Sequence, residues 1–209
     1  MTFEKSDFAE AVALWTEWNS KINVVSRKDI DMLYEHHILH SLAIAEYVSR
    51  TYGVEAWKGA RVLDLGCGGG FPGIPLASVF PGTEFTLCDS IGKKVKVAQA
   101  VADGLGLTNV SCVNARAESL PGPFDWVVSR AVTSLDNFYP WVKGKFRRSI
   151  LYLKGGDVAA EIAELTRKCG VNPALVRCWP VTDWLDDEYF AEKFVIEIVK
   201  DYLCPPNFE

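Results

Sequence analysis

Val62-Leu63-Asp64-Leu65-Gly66-Cys67-Gly68-Gly69-Gly70-Phe71-Pro72-Gly73 carries the chain from an apolar strand, through a glycine-dense turn, into the start of a helix. Residues lacking a Cβ let a backbone approach a ligand closely. Pro72 suits the first turn of a helix, because the N–H it lacks has no intrahelical partner there anyway. The free N–H groups and dipole of that helix favour an anionic ligand group nearby. A bare strand-to-helix turn does not require five glycines among residues 66 to 73, since each loses backbone entropy on folding. In an open α/β sheet this turn lies at the carboxyl ends of the strands, where ligands bind.

Working outward, the same strand pattern repeats. Short apolar runs occur at residues 62–65, 85–88, 110–113, 126–128, 150–153, 175–179 and 194–199, separated by helical or turn-rich stretches, the order of an alternating α/β sheet. Between the second and third runs, Ile91, Val95, Ala98, Ala102 and Leu105 mark one apolar helix face, with Lys93, Lys94 and Lys96 on other faces. Pro180, Asp183, Asp186 and Asp187 place a loop between the last two runs, which predicts a terminal antiparallel pair on a mostly parallel seven-stranded sheet. Upstream, Phe8, Val12 and Trp15, then Ile38, Leu42 and Ala45, recur at helical spacing, so residues 4 to about 52 read as two or three helices. Ser6 and Asp7 are candidate N-caps for the first. Residues 1–58 are expected to form a helical extension packed on an α/β domain of residues 59–209, together one structural unit.

Composition narrows the class. With 209 residues, 49% of them hydrophobic, the chain suffices for one sizeable core. The first residues lack a signal peptide's basic start and apolar run, and no stretch reaches the roughly 20 apolar residues that span a bilayer, so a cytoplasmic protein without membrane contact is expected. Cys67, Cys88, Cys112, Cys169, Cys178 and Cys204 show no CxxC spacing and read as free thiols. His36, His37 and His40 cluster without a cysteine to complete a zinc set, and no metal is assigned. A net charge of −5 and a pI near 5.3 exclude bulk electrostatic coating of nucleic acid, so a local basic patch would have to carry any RNA contact.

Two ligand classes fit the glycine turn. Gly68, Gly70 and Gly73 satisfy G-x-G-x-x-G, with Asp89 closing the next strand, as in dinucleotide oxidoreductases. In that motif, however, the first glycine directly follows the strand and the third sits inside the helix, whereas here Asp64 and Gly66 come first and Pro72 interrupts the spacing. The pattern instead resembles the nucleoside-binding turn of S-adenosylmethionine methyltransferases, in which the Asp89 carboxylate would accept hydrogen bonds from both ribose hydroxyls. Further stretches make the resemblance specific: Trp18-Asn19, Asn23-Val24-Val25-Ser26, His37-Ile38-Leu39-His40-Ser41-Leu42, Phe71-Pro72-Gly73-Ile74-Pro75, Asn114-Ala115-Arg116-Ala117-Glu118, and Phe124-Asp125 with Ser129-Arg130-Ala131. In this order they resemble the small-subunit rRNA guanine-N7 methyltransferases, also called the glucose-inhibited division protein B family, from about Trp15 to Gly155.

The resemblance implies a Rossmann-like class I S-adenosylmethionine methyltransferase acting on N7 of a guanine in 16S rRNA, as naked RNA or as a small ribosomal subunit, and a monomer. It places cofactor contacts at Gly66, Phe71, Ala117, Glu118 and Arg130, to which the turn itself adds Gly68 and Asp89. At His40 the family pattern carries an aspartate, and beyond Gly155 the match fades. Guanine N7 offers an in-plane lone pair with no proton to remove, so the resemblance implies no general base and no catalytic residue is named. Candidate RNA contacts are the basic run Lys143, Lys145, Arg147 and Arg148, then Lys93, Lys94 and Lys96. A small-molecule methyltransferase and a non-catalytic ribosome-assembly module retaining the pocket are the alternatives.

Overall fold

The computed structural model describes residues 3–201, and Cys204 lies outside the described residues. Strands β1 (Arg61–Leu65), β2 (Glu84–Asp89), β3 (Val110–Asn114), β4 (Phe124–Arg130), β5 (Phe146–Gly155), β6 (Val176–Pro180) and β7 (Lys193–Val199) form one sheet of order β3-β2-β1-β4-β5-β7-β6. The first five run parallel, and β7 pairs antiparallel with both β5 and β6. Strand order reverses between β1 and β4, which opens a crevice at their carboxyl ends. Helices α1 (Ala9–Lys21) and α2 (His40–Tyr52) precede the sheet, and α3 (Gly73–Val79), α4 (Gly92–Gly104), α5 (Leu135–Val142) and α6 (Val158–Cys169) fill the crossovers.

The alternation along β1 explains the layering. Val62 and Leu63 point to opposite faces, as successive strand residues must, and both are fully buried. On one face Val62, Phe85 and Trp126 share a core with Phe8, Trp15, Ile38 and Leu42 of the N-terminal helices. On the other, Leu63 and Val127 pack with Phe138 and Leu165 from α5 and α6. The extension thus shares one helical layer of the fold with α3 and α4, whose Ile74 and Val101 join the same core.

Three local expectations are corrected. The first helical turn is a 3₁₀ turn (Lys5–Phe8) whose N-cap is Glu4, not Ser6 or Asp7. Glu4 has the extended backbone a cap requires, and Asp7 closes the capping box by accepting the Glu4 N–H at 3.1 Å. Pro72 stands at the N-cap of α3 rather than within its first turn. The fifth strand begins before its apolar run at 150–153: β5 starts at Phe146, so Arg147 and Arg148 belong to it while Lys143 and Lys145 precede it. Cys67, Cys88, Cys112, Cys169 and Cys178 are free thiols, and no helix among the described residues is long and apolar enough to cross a membrane.

Candidate functional site

The turn after β1 is shaped by backbone constraints that only glycine meets easily. Gly66 has φ +76°, and a Cβ there would stand 2.2 Å from Val132 Cγ2, while Gly68 has φ +54°. The Gly66 and Cys67 N–H groups both donate to the Cys88 carbonyl, tying the turn to the end of β2. Behind it, Trp15 Nε1 donates to the Gly69 carbonyl at 2.8 Å, and Val24 lies against the bare Cα of Gly69. Asp64 does not face the ligand side: fully buried, its Oδ2 accepts the Gly73 N–H at 2.7 Å and so caps α3. The first amide of that helix is therefore taken by protein rather than left for an anion. Burial pushes the Asp64 carboxyl up to about 8, against the opposing pull of the Gly73 N–H and the Arg130 charge.

A cavity of about 480 Å³ opens in front of the turn, lined from the ends of four strands by Gly66 and Gly68, Asp89, Ala117 and Glu118, and Arg130. Asp89 is fixed by two backbone donors, Gly68 N–H to Oδ2 at 3.0 Å and Ile91 N–H to Oδ1 at 2.8 Å. Each oxygen keeps a second lone pair for a vicinal diol. Ala117 and Glu118 open a 3₁₀ turn (Ala117–Ser119) beside it. Phe71 is 4% exposed, with its ring stacked on Trp15 at 4.2 Å and the Arg130 guanidinium over it at 4.9 Å. It borders the cavity chiefly as the anchor for Arg130.

Arg130 is held by a relay from the N-terminal extension. Its Nη2 donates to His37 Nδ1 at 2.8 Å. A guanidinium only donates, so Nδ1 must be the acceptor and His37 must carry its proton on Nε2, which lies 2.5 Å from Asp29 Oδ2. His36 Nδ1 meets the other Asp29 oxygen at 2.5 Å while its ring stacks on Tyr189. Burial and the Arg130 charge lower His37 to about 4, so it is a neutral acceptor at ordinary pH. Burial lowers Arg130 to about 10, leaving it a cation. A π-helical stretch (Tyr34–Leu39) leading into α2 presents both histidines to one carboxylate.

All seven expected cofactor residues border this one cavity. Sequence reasoning gave no site role to Val24, Arg116 or Trp141 and offered Lys94 only as an RNA contact, yet all four line the cavity. The run at Lys143, Lys145, Arg147 and Arg148 is not brought to it. Their backbone lies at or just before the amino end of β5, away from the carboxyl-end crevice, and none of the four lines the cavity. Lys145 is spent on the carbonyls of Glu118 and Leu120, and Arg147 lies 3.8 Å from Asp125. His40 is buried against Tyr189 and Phe190 with its Nε2 unpartnered, so it does not replace the family's aspartate as a charge. Burial and the Arg130 charge hold it well below the ordinary histidine range.

The sheet order and the cavity at the strand reversal, with Asp89 closing β2 beside it, are those of a class I S-adenosylmethionine-dependent methyltransferase. The profile of the family described as GidB, rRNA small subunit methyltransferase G, matches residues 4–182. Curated relatives with the name ribosomal RNA small subunit methyltransferase G include that of Cytophaga hutchinsonii, 47% identical over 91% of this chain and 90% of its own, and that of Flavobacterium psychrophilum, 45% identical over 92% and 90%. The chain belongs to the rRNA small subunit methyltransferase G family. The likeness therefore reaches beyond Gly155, where the motif resemblance fades. In fold it is similar to the Synechocystis magnesium protoporphyrin IX methyltransferase solved with its cofactor (TM-score 0.63, 16% identity, 94% of each chain). It is also similar to a T. thermophilus 16S rRNA N2 methyltransferase bound to AdoMet and guanosine (TM-score 0.60, 20% identity, 77% of this chain and 43% of that one).

Proposed function

We propose that this chain methylates N7 of a guanine in 16S rRNA. The observation that carries the reading is a pair of cations on a nucleoside-binding crevice: Lys94 and Arg116 line the same cavity as Asp89 and Glu118 in a chain whose net charge is −5. Such local focusing attracts a polyanion that the molecule as a whole would repel.

The residues present fit S-adenosylmethionine. Asp89, with both oxygens already oriented by backbone amides, meets the ribose hydroxyls; the bare backbone of Gly66 and Gly68 accommodates the methionine portion; Ala117 and Glu118 meet the adenine edge; Arg130, held by Phe71 and His37, reaches the carboxylate. When bound, the cofactor supplies a methyl group already activated by its sulfonium. Guanine N7 has no proton to lose, so the chain's task is to hold donor and acceptor in line, an effect that supplies about 7 to 11 kcal/mol. N7 lies in the deep, narrow major groove of A-form RNA, which side chains do not read, so the acceptor guanine must be unpaired or splayed out. The distal run at Lys143, Lys145, Arg147 and Arg148 is left with contacts to RNA remote from the acceptor. The protein acts as a cytoplasmic monomer in this reading.

The test is to incubate 16S rRNA and isolated small subunits with S-adenosylmethionine, with and without the protein, and to map N7-specific cleavage by primer extension. One new protein-dependent stop at a guanine is expected. Transfer to small acceptors alone, with no stop on either form of rRNA, would overturn the reading.

A further inference from the structure

A second cavity, of about 470 Å³, lies on the outer side of the loop that follows α1, where it is lined by Thr16, Ser20, Lys21, Asn23, Arg27 and Ile30. Adjacent loop residues face the two spaces, Asn23 the second cavity and Val24 the cofactor crevice, with Cα atoms about 3.8 Å apart. The loop is built rather than loose. Asn19 Oδ1 accepts the Val24 and Val25 N–H groups at 2.8 and 2.9 Å, its Nδ2 donates to the Val25 carbonyl, and Val24 is seated on Gly69. Two residues beyond Arg27, Asp29 fixes His37 and through it Arg130.

The charges of this loop are unbalanced. Glu17 is engaged by Lys21 at 2.6 Å, and Asp29 by the two histidines. Arg27 and Lys28 are exposed and, among the described residues, make no ion pair, side-chain hydrogen bond or ring contact; the nearby acid Asp31 pairs with neither.

We propose that Arg27, flanked by Asn23 and Lys21, binds a backbone phosphate of the single-stranded RNA segment that carries the methyl acceptor. The planar guanidinium fork matches two phosphate oxygens and the Asn23 amide adds donors, while Lys21 stays paired with Glu17. A phosphate held there anchors the strand against the loop whose Val24 lines the crevice. The proposal rests on the rRNA reading above.

Binding of a fluorescein-labelled single-stranded oligoribonucleotide, measured against salt, tests it together with steady-state methylation of 16S rRNA and calorimetric titration of S-adenosylhomocysteine. Arg27→Ala is expected to raise KM for RNA roughly three- to tenfold, the order of one exposed charge-assisted contact, with kcat within about twofold. It should lower the slope of log affinity against log salt by about 0.7, equally for oligonucleotides of different sequence, and leave S-adenosylhomocysteine affinity unchanged. Arg27→Lys should restore the slope without the full affinity, because it keeps the charge and loses the fork. Unchanged KM and slope in both Arg27→Ala and Arg27→Glu would overturn the proposal, as would loss of S-adenosylhomocysteine affinity in both, which would mark Arg27 as structural. A wild-type protein that methylates neither form of 16S rRNA would instead refute the functional reading, and the oligonucleotide slope would still decide on Arg27.

Discussion

Gly66 illustrates how one backbone angle can carry a function. An added Cβ would meet Val132 Cγ2 at 2.2 Å and its Cβ at 3.3 Å, and the positive φ costs an L side chain about 1–2 kcal/mol besides. Gly66→Asp adds bulk and negative charge to the cradle, and calorimetry should find S-adenosylhomocysteine affinity lowered more than about tenfold, or 1.4 kcal/mol. His37 is the second test at this scale. His37→Ala removes the acceptor of Arg130 Nη2 and leaves a buried donor unpaired, which should destabilise the fold by about 1–3 kcal/mol in urea and weaken the cofactor alongside. The third is Asp64, whose acid form the fold favours, with a folded value of about 8 against about 4 in the unfolded chain. A raised value contributes stability that is complete below the unfolded pKa and is lost as pH climbs through the folded one. Asp64→Asn mimics the neutral acid, so its urea midpoint should overtake that of the wild type as pH rises from about 5 to about 9; parallel curves would contradict the assignment.

The segment joining β4 to α5 shows what an element scale adds. Ala131, directly after Arg130, has φ +47°, the sole non-glycine positive value among the described residues. The Tyr152 hydroxyl of β5 accepts the Val132 and Thr133 N–H groups and donates to the Thr133 carbonyl, while Lys154 donates to the same carbonyl. Tyr152→Phe should therefore loosen this wall of the crevice, lower the unfolding free energy by about 1–3 kcal/mol and increase amide exchange at residues 132 and 133. None of this could be read from the sequence, because a tyrosine in an apolar strand looks like core. The strands themselves were legible as short apolar runs, the first two closed by Gly66 and Asp89. Lys94 was read as a surface lysine because periodicity gives a helix face but not which end of the sheet that face overlooks. Where the basic run lies was illegible for a related reason: charge clustering is visible in one dimension, whereas its position at the amino end of β5 depends on strand direction. Asp29 lies in an aperiodic loop, so its grip on His36 and His37 had no signature.

For the molecule as a whole, reversal of strand order between β1 and β4 sets the crevice, and the N-terminal helices lock it from behind. Trp15 joins the two, fully buried, bonded to Gly69 and stacked on Phe71. The central claim is that the bare backbone between β1 and α3, opposite Asp89, cradles a methyl-donating nucleoside. Calorimetric titration of the wild type and of Asp89→Ala with S-adenosylhomocysteine and with NAD tests it most directly. The account predicts one S-adenosylhomocysteine site per chain in the wild type, a loss of affinity of at least about tenfold in Asp89→Ala where the ribose contacts go, and no NAD binding. NAD binding in place of S-adenosylhomocysteine, or undiminished S-adenosylhomocysteine affinity in Asp89→Ala, would contradict it.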